Sequence, residues 1–257
     1  MVQEIRRRLS DDRTAAAGSS VPRRLLLLGP AAAWLASPAA GQGALSGDVL
    51  LPGNRAAFVA RPAGSAPAAG VVVLEDGGGI HGLAGTMATR LAEAGYLAIA
   101  PALELETDAA TQASVDAALE WLGGNGADPA RLGITGFGAG GRAAWLAAAR
   151  RTTAKAAVAW SAPIGGAVST KSPHVPPDLA AELTIPMLGL YGKADPDAPR
   201  AALLRAESRA LAAGKVAEMV SYVGSGRGFA AGQGADAAAA LDGWQRMLGW
   251  FKRFGAT

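Results

Sequence analysis

The sequence predicts an α/β fold, a mostly parallel central sheet with helices on both faces. Three observations support this prediction. Short apolar runs alternate with longer segments of helical periodicity, as in repeated βαβ units. The run at residues 70–75 (GVVVLE) is apolar up to its final Glu, as a parallel strand buried on both faces requires. A glycine-dense turn at residues 136–141 joins another apolar run to a helical segment.

The elements can be assigned in order from this pattern. Residues 56–61 (AAFVAR) suit an edge strand because Pro62 ends them, and residues 83–94 suit a helix with Gly95 as its C-cap. The later elements are strand 96–100, helix 108–122, a strand entered through 128–131, a helix from about 141, strand 154–160, an irregular segment 161–183, strand 186–191, a helix to 213, strand 218–223 and helix 236–254.

Functional sites in such folds lie at the carboxyl ends of the strands. Four loops are expected there, at residues 76–81, 136–141, 192–197 and 224–229. These loops carry the candidate site residues.

Composition limits the chemistry. The chain has 257 residues, half of them hydrophobic, and no cysteine, so disulfides and a cysteine nucleophile are excluded. Its two histidines, His81 and His174, make a multi-histidine metal site improbable. We therefore expect no metal and no cofactor.

The formal charge of +3 is concentrated at the N-terminus. The first 40 residues carry six arginines and three acidic residues, which accounts for the whole excess. The remainder is neutral, so nucleic acid is not an expected partner. The oligomeric state is left open.

Residues 1–40 resemble a twin-arginine export signal. Arg23 and Arg24 precede an apolar run of about a dozen residues and the small residues at 37–40. The run is too short for a stable membrane span. We expect a periplasmic or secreted protein with a linker at 41–53 and one domain at 54–257; the alternative is an uncleaved, cytoplasmic chain.

The turn Gly136-Phe-Gly138-Ala-Gly-Gly141 allows three interpretations. It fits the nucleophile elbow of α/β-hydrolases, but Gly138 at the nucleophile position has no side chain. It also fits the dinucleotide fingerprint Gly136-x-Gly138-x-x-Gly141. That fingerprint needs an acidic residue at the end of the next strand, and residues 159–161 supply none. The third interpretation is a tight turn without a ligand.

The chain as a whole resembles the dienelactone hydrolase family. The resemblance runs from about residue 56 to residue 254. It rests on the segments VVVLEDGGGIHG, LAEAGYLAIAPAL, DPARLGITGFGAGG, IPMLGLYGKADP, YVGSGRGF and DGWQRMLGWFKRF. It implies the α/β-hydrolase fold and a carboxylic ester or lactone substrate.

The resemblance also implies site roles. Asp195 matches the acid of the family's catalytic triad, Gly138 stands at the nucleophile position, and Arg227 stands at the histidine position. The backbone NH groups of Ala139 and Gly77 would form the oxyanion hole. Asp76 stands where the family carries a Glu beside the nucleophile.

Two triad members are therefore replaced, because glycine cannot attack a carbonyl and arginine cannot act as a general base near neutral pH. Asp195 and Arg227 could instead form a salt bridge, or Asp195 could only cap the following helix. Substitute residues are a second possibility, either His81 at the pocket rim or a Ser161–His174 pair.

Three functions are thus expected in order. The first is a catalytically impaired protein that binds a small ester, lactone or carboxylate. The second is an active hydrolase that uses Ser161, His174 or His81. The third is a nucleotide-binding protein.

Overall fold

The computed structural model describes residues 44–64, 67–75, 79–150, 152–165 and 172–257. The predicted export signal at residues 1–40 lies outside these ranges. Among the described residues, no helix combines the length and the apolar character needed to cross a membrane.

The fold is a single eight-stranded sheet with the order β1-β2-β4-β3-β5-β6-β7-β8. Its strands are β1 Leu45–Leu51, β2 Arg55–Arg61, β3 Ala68–Leu74, β4 Leu97–Pro101, β5 Ala127–Phe137, β6 Ala156–Trp160, β7 Met187–Gly192 and β8 Ala217–Tyr222. All pairs from β4 through β3 to β8 are parallel, whereas β1–β2 and β2–β4 are antiparallel. The predicted mostly parallel sheet is confirmed.

Helices cover both faces of the sheet, as predicted. The helices are α1 Leu83–Glu93, α2 Asp108–Gly124, α3 Ala139–Ala149, α4 Pro176–Leu179, α5 Arg200–Ala212 and α6 Ala237–Arg253. Apolar side chains of α2, α3 and α5 share one buried cluster with one face of the sheet. Those of α1 and α6 form a second cluster on the opposite face.

The predicted linker at 41–53 is wrong over residues 45–51, which form the edge strand β1. Every residue of β1 pairs with β2, from Leu45 opposite Arg61 to Leu51 opposite Arg55. A turn through Gly53 and Asn54, both with positive φ, closes this hairpin. Most of β1 is exposed, so it lacks the apolar run by which the other strands were recognised. The strand at 56–61 is consequently internal and not an edge.

Two other predicted boundaries also change. Strand β5 begins at Ala127, so the residues expected to lead into it already belong to the sheet. The segment predicted to be irregular contains the short helix α4, followed by a 3-10 turn over Ala180–Glu182. Residues 166–171 of that segment lie outside the described ranges.

The parallel register aligns the carboxyl ends of four strands. Gly136 on β5 lies opposite Leu74 on β3, and Phe137 lies opposite Trp160 on β6. Trp160 in turn lies opposite Leu190 on β7. The loops that follow these strands therefore open at the same edge of the sheet.

Candidate active site

The turn between β5 and α3 has the backbone of a nucleophile elbow. Gly138 has φ 55° and ψ −123°, a region that side-chain-bearing residues occupy only under strain. Its NH donates to the carbonyl of Trp160 at 3.0 Å, and its carbonyl accepts from the NH of Arg142 at 3.1 Å. Residue 138 thus stands where an elbow nucleophile stands, but it carries no nucleophilic atom.

Neighbouring glycines are required by close backbone packing. A Cβ on Gly136 would overlap the carbonyl of Gly140, and a Cβ on Gly140 would overlap the carbonyl of Leu74. The turn is therefore sharp enough to bring α3 directly against β3 and β5. This steric role explains both glycines without a bound nucleotide.

Asp195 lies in the loop after β7 and is 3% exposed. Its Oδ1 accepts a hydrogen bond from the NH of Asp197 at 3.0 Å. Its Oδ2 is buried and has no hydrogen-bond partner in the part of the chain that the structure describes. The proposed cap of the next helix is not formed, because α5 starts only at Arg200 with no side-chain cap from the described residues.

The predicted Asp195–Arg227 salt bridge is wrong. Arg227 Nη1 instead donates to Asp197 Oδ2 at 2.6 Å. Both partners are substantially exposed, at 54% and 39% of their side chains. Asp195 folds back onto its own loop, which leaves Asp197 as the carboxylate that faces Arg227.

Burial raises the pKa of the Asp195 carboxyl above its ordinary value, and the charge of Asp197 adds to this rise. The NH of Asp197 and the guanidinium of Arg227 oppose it. The Arg227 charge is therefore close enough to act on Asp195, although the ion pair itself is made with Asp197.

Gly138 and Arg227 open onto one cavity of about 170 Å³. The described residues that line it come from the ends of β3, β5 and β6, the start of α1 and the loop after β8: Glu75, Leu83, Phe137, Gly138, Trp160, Ser161, Arg227, Gly228 and Ala230. Asp76 and Gly77, predicted to stand beside the nucleophile and in the oxyanion hole, lie outside the described residues. Ala139, whose NH was assigned to the same hole, is the first residue of α3.

Ser161 lies in the cavity wall directly after β6. It is 4% exposed, and its φ of 46° is positive. Its Oγ has no hydrogen-bond partner among the residues that are described. The predicted Ser161–His174 pair is therefore not formed.

The two histidines lie outside the cavity wall. His81 is exposed, and its Nε2 is 3.2 Å from Asp48 Oδ2 on β1. His174 contributes its backbone carbonyl, which accepts from Arg142 Nη2 at 2.7 Å. Neither histidine is placed to act as a base on a ligand bound beside Gly138.

Sequence reasoning missed Glu75 as a residue of this site. It directly follows the apolar run of β3 and lines the cavity, while Oε2 accepts from the NH of Ala84 at 2.7 Å. Its place as the first polar residue after a buried strand was the available signal. The neighbouring Asp76 was selected instead.

The described residues contain no cluster of three or more His, Cys, Asp or Glu side chains that could hold a metal ion. The polar groups of the cavity wall are a carboxylate, a hydroxyl and a guanidinium, from Glu75, Ser161 and Arg227. This set can hydrogen-bond a small polar ligand.

Comparison with known proteins identifies the family. The model of the dienelactone hydrolase family matches residues 56–112 and 104–255. The chain belongs to the dienelactone hydrolase family. This confirms the resemblance predicted from the sequence segments.

Named relatives agree with this membership. The chain is 36% identical to a protein of Methylorubrum extorquens named "Putative carboxymethylenebutenolidase", over 95% of this chain and 94% of that one. A protein of Escherichia coli with the same name is 38% identical over 79% of this chain and 83% of the other.

Solved structures confirm the α/β-hydrolase fold. A crystal structure titled "Putative Dienelactone Hydrolase" from Klebsiella pneumoniae matches with a TM-score of 0.76 and 35% identity, covering 82% of this chain and all of the other. The acylaminoacyl peptidase of Pyrococcus horikoshii matches with a TM-score of 0.71 at 15% identity, covering 84% of this chain and 42% of that one. The second likeness concerns the fold alone.

Proposed function

We propose that this dienelactone-hydrolase-like protein binds a small ester, lactone or carboxylate beside Gly138 and hydrolyses esters very weakly or not at all. The observation that carries the proposal is the absence of a side chain at the elbow residue that opens into the cavity. The family membership supplies the ligand class.

The charged groups around the elbow support the loss of catalysis. Arg227 stands at the histidine position and is held by Asp197. Asp195 retains a buried Oδ2 with no partner in the described part of the chain, as expected of a triad acid whose histidine has been lost. An oxyanion hole and a binding pocket alone still accelerate hydrolysis by about 10³ to 10⁴ over water, which sets the level of activity expected of the wild type.

The test is a double-mutant cycle with Gly138→Cys and Arg227→His, measured as kcat/KM on p-nitrophenyl acetate and a small lactone. In the double variant His accepts the thiol proton, the thiolate attacks the carbonyl carbon, and the leaving alcohol takes up that proton. Water then hydrolyses the thioester to the acid. Each single variant lacks one member of this sequence, so the gain must exceed the product of the single effects.

Cysteine at residue 138 must adopt the φ and ψ that Gly138 has in this structure, at a cost on the order of 1–3 kcal/mol. Circular dichroism melts must therefore show that each variant is folded. A folded double variant no faster than either single variant would contradict the proposal. Fast wild-type turnover, unchanged by substitutions at residues 138 and 227, would contradict it as well.

A second candidate is an active hydrolase that uses Ser161. The observation in its favour is a buried serine with positive φ in the same cavity wall. The substitution Ser161→Ala would then reduce wild-type turnover at least tenfold, whereas the first proposal expects no such loss. The substitutions His174→Ala and His81→Ala test the two histidines in the same assay.

The nucleotide-binding interpretation has no comparable support. Gly136 and Gly140 have a packing role that requires no ligand. Residues 159–161 supply no acidic group for a ribose hydroxyl. We do not pursue this interpretation further.

A further inference from the structure

Helix α3 presents its N-terminus to the cavity. The helix has eleven residues and begins at Ala139, directly after Gly138, and no side chain among the described residues caps it. The first NH groups of an α-helix have no intrahelical acceptor and carry a partial positive charge. The elbow glycine provides no side chain that would cover them. This end of the cavity therefore favours an anionic oxygen.

A second observation points to a ligand at the same place. Ser161 lines the cavity and is 4% exposed, yet its Oγ makes no hydrogen bond to any residue that the structure describes. A buried polar group without a partner costs about 1–3 kcal/mol. A ligand oxygen that accepts from this hydroxyl removes that cost.

Arg227 adds a permanent positive charge to the cavity wall. Its hydrogen bond to Asp197 uses Nη1, so the guanidinium retains donors for another acceptor. Because the ion pair with Asp197 is largely exposed, it contributes at most about 1 kcal/mol. A ligand carboxylate can therefore share or replace Asp197 at small cost.

The acidic groups near the cavity are partly compensated. Glu75 directs Oε2 to the NH of Ala84 at the start of α1, so its charge is stabilised by that helix. Asp197 is paired with Arg227. Asp195 lies outside the cavity wall, and its burial raises its pKa, which favours the uncharged form.

The rest of the wall is apolar. Leu83, Phe137, Trp160 and Ala230 line it, and the Phe137 and Trp160 ring centroids are 5.6 Å apart. A volume of about 170 Å³ lies well below the size range of drug-binding pockets. The ligand must therefore be small, with one polar end and a compact apolar body.

We propose that the cavity selects a small monocarboxylate over the corresponding neutral ester, holding the carboxylate between the N-terminus of α3, the Ser161 hydroxyl and the Arg227 guanidinium. This inference rests on the proposed function, because it assigns the ligand class of the same site. The substitutions that removed the nucleophile and the base then convert a site for hydrolysis into a site for the acid that hydrolysis would yield.

The test compares benzoate with methyl benzoate in calorimetric and NMR titrations of the full chain. We expect benzoate to bind at least tenfold more tightly, and its affinity to fall as salt is added. Arg227→Gln should weaken benzoate binding about tenfold, and Ser161→Ala should weaken it severalfold. Neither substitution should change the affinity for methyl benzoate by more than about twofold.

Arg209→Gln is the matched control, because Arg209 also forms an exposed ion pair, with Asp178 at 3.2 Å and 48% exposure of both side chains. It should leave both affinities unchanged. Methyl benzoate binding as tightly as benzoate overturns the inference, and so does benzoate binding that is absent or insensitive to both cavity substitutions. Rapid hydrolysis of p-nitrophenyl acetate by the same sample would instead overturn the proposed loss of catalysis, so the two failures are distinguishable.

Discussion

Two arginines of this chain illustrate how burial decides the strength of an ion pair. Arg227 meets Asp197 in solvent, whereas Arg142 meets Asp108 with only 20% and 7% of the two side chains exposed. Arg142 Nη2 also donates to the carbonyl of His174. It thereby connects α3 to α2 and to the chain before α4.

Replacing these arginines by alanine should have unequal effects on stability. Arg227→Ala should lower the free energy of unfolding by less than about 1 kcal/mol. Arg142→Ala leaves the buried Asp108 carboxylate without its cation and should cost about 3 kcal/mol. Urea denaturation of both variants measures the difference. Equal losses would show that the two pairs do not differ in effective burial.

Asp195 is expected to reduce stability at neutral pH. Since burial raises its pKa in the folded state, folding disfavours the charged carboxylate. The unfolded carboxyl titrates near pH 3.9, so this penalty is absent well below that pH and grows as the pH rises through the folded value.

Asp195→Asn should therefore be more stable than the wild type at pH 7, by on the order of 1 kcal/mol or ~2–4 °C in Tm. Near pH 3 the two proteins should melt alike, because the aspartate is then protonated in both states. Thermal melts across this pH range make the comparison. A variant less stable than the wild type at pH 7 would show that the carboxylate has a stabilising partner there.

The elbow and α6 depend on glycines for different reasons. Gly140 allows α3 to contact the carbonyl of Leu74, and Gly243 allows α6 to contact the ring of Trp160. Trp160 also lines the cavity, so the packing of α6 supports the site wall from behind. Gly249, in the same helix, has open space where a Cβ would lie.

Alanine at two of these positions should have opposite effects. Gly140→Ala forces α3 away from the sheet and should destabilise the fold by more than about 3 kcal/mol. Gly249→Ala should stabilise it by about 0.5–1 kcal/mol, because alanine has the higher helix propensity. Circular dichroism melts of the two variants are the measurement. A wild-type Tm for Gly140→Ala would mean that the turn can relax without loss of packing.

Over the whole chain, the arginine-rich N-terminus and its apolar run still predict export. The match to the Methylorubrum extorquens relative covers 95% of the chain, so it extends into the first 43 residues. We expect the mature protein to lack roughly residues 1–40 and to occur outside the cytoplasm. Mass spectrometry of the protein from native cell fractions tests this. An intact Met1 on protein in the cytoplasmic fraction would refute it.

The fold could be predicted from the sequence because its signals are local. The apolar runs of β3, β5, β6 and β7 and the glycines of the elbow are properties of adjacent residues, which repeated βαβ order then arranges in one way. Strand β1 was missed because its side chains are mostly exposed and its pairing with β2 provides the structure. The same locality identified Gly138 and Arg227 as residues at the carboxyl edge of the sheet.

Only the tertiary structure decided which side chains meet. Asp195 and Asp197 are two residues apart in one loop, and the sequence does not distinguish which of them faces Arg227. The hydrogen bond from the NH of Asp197 to Asp195 Oδ1 turns Asp195 inward and leaves Asp197 for the arginine. Likewise, parallel pairing of β5 with β6 places Ser161 beside Gly138, while the β1–β2 hairpin gives His81 a partner in Asp48. These outcomes depend on strand register and loop curvature, which bring together residues far apart in the chain.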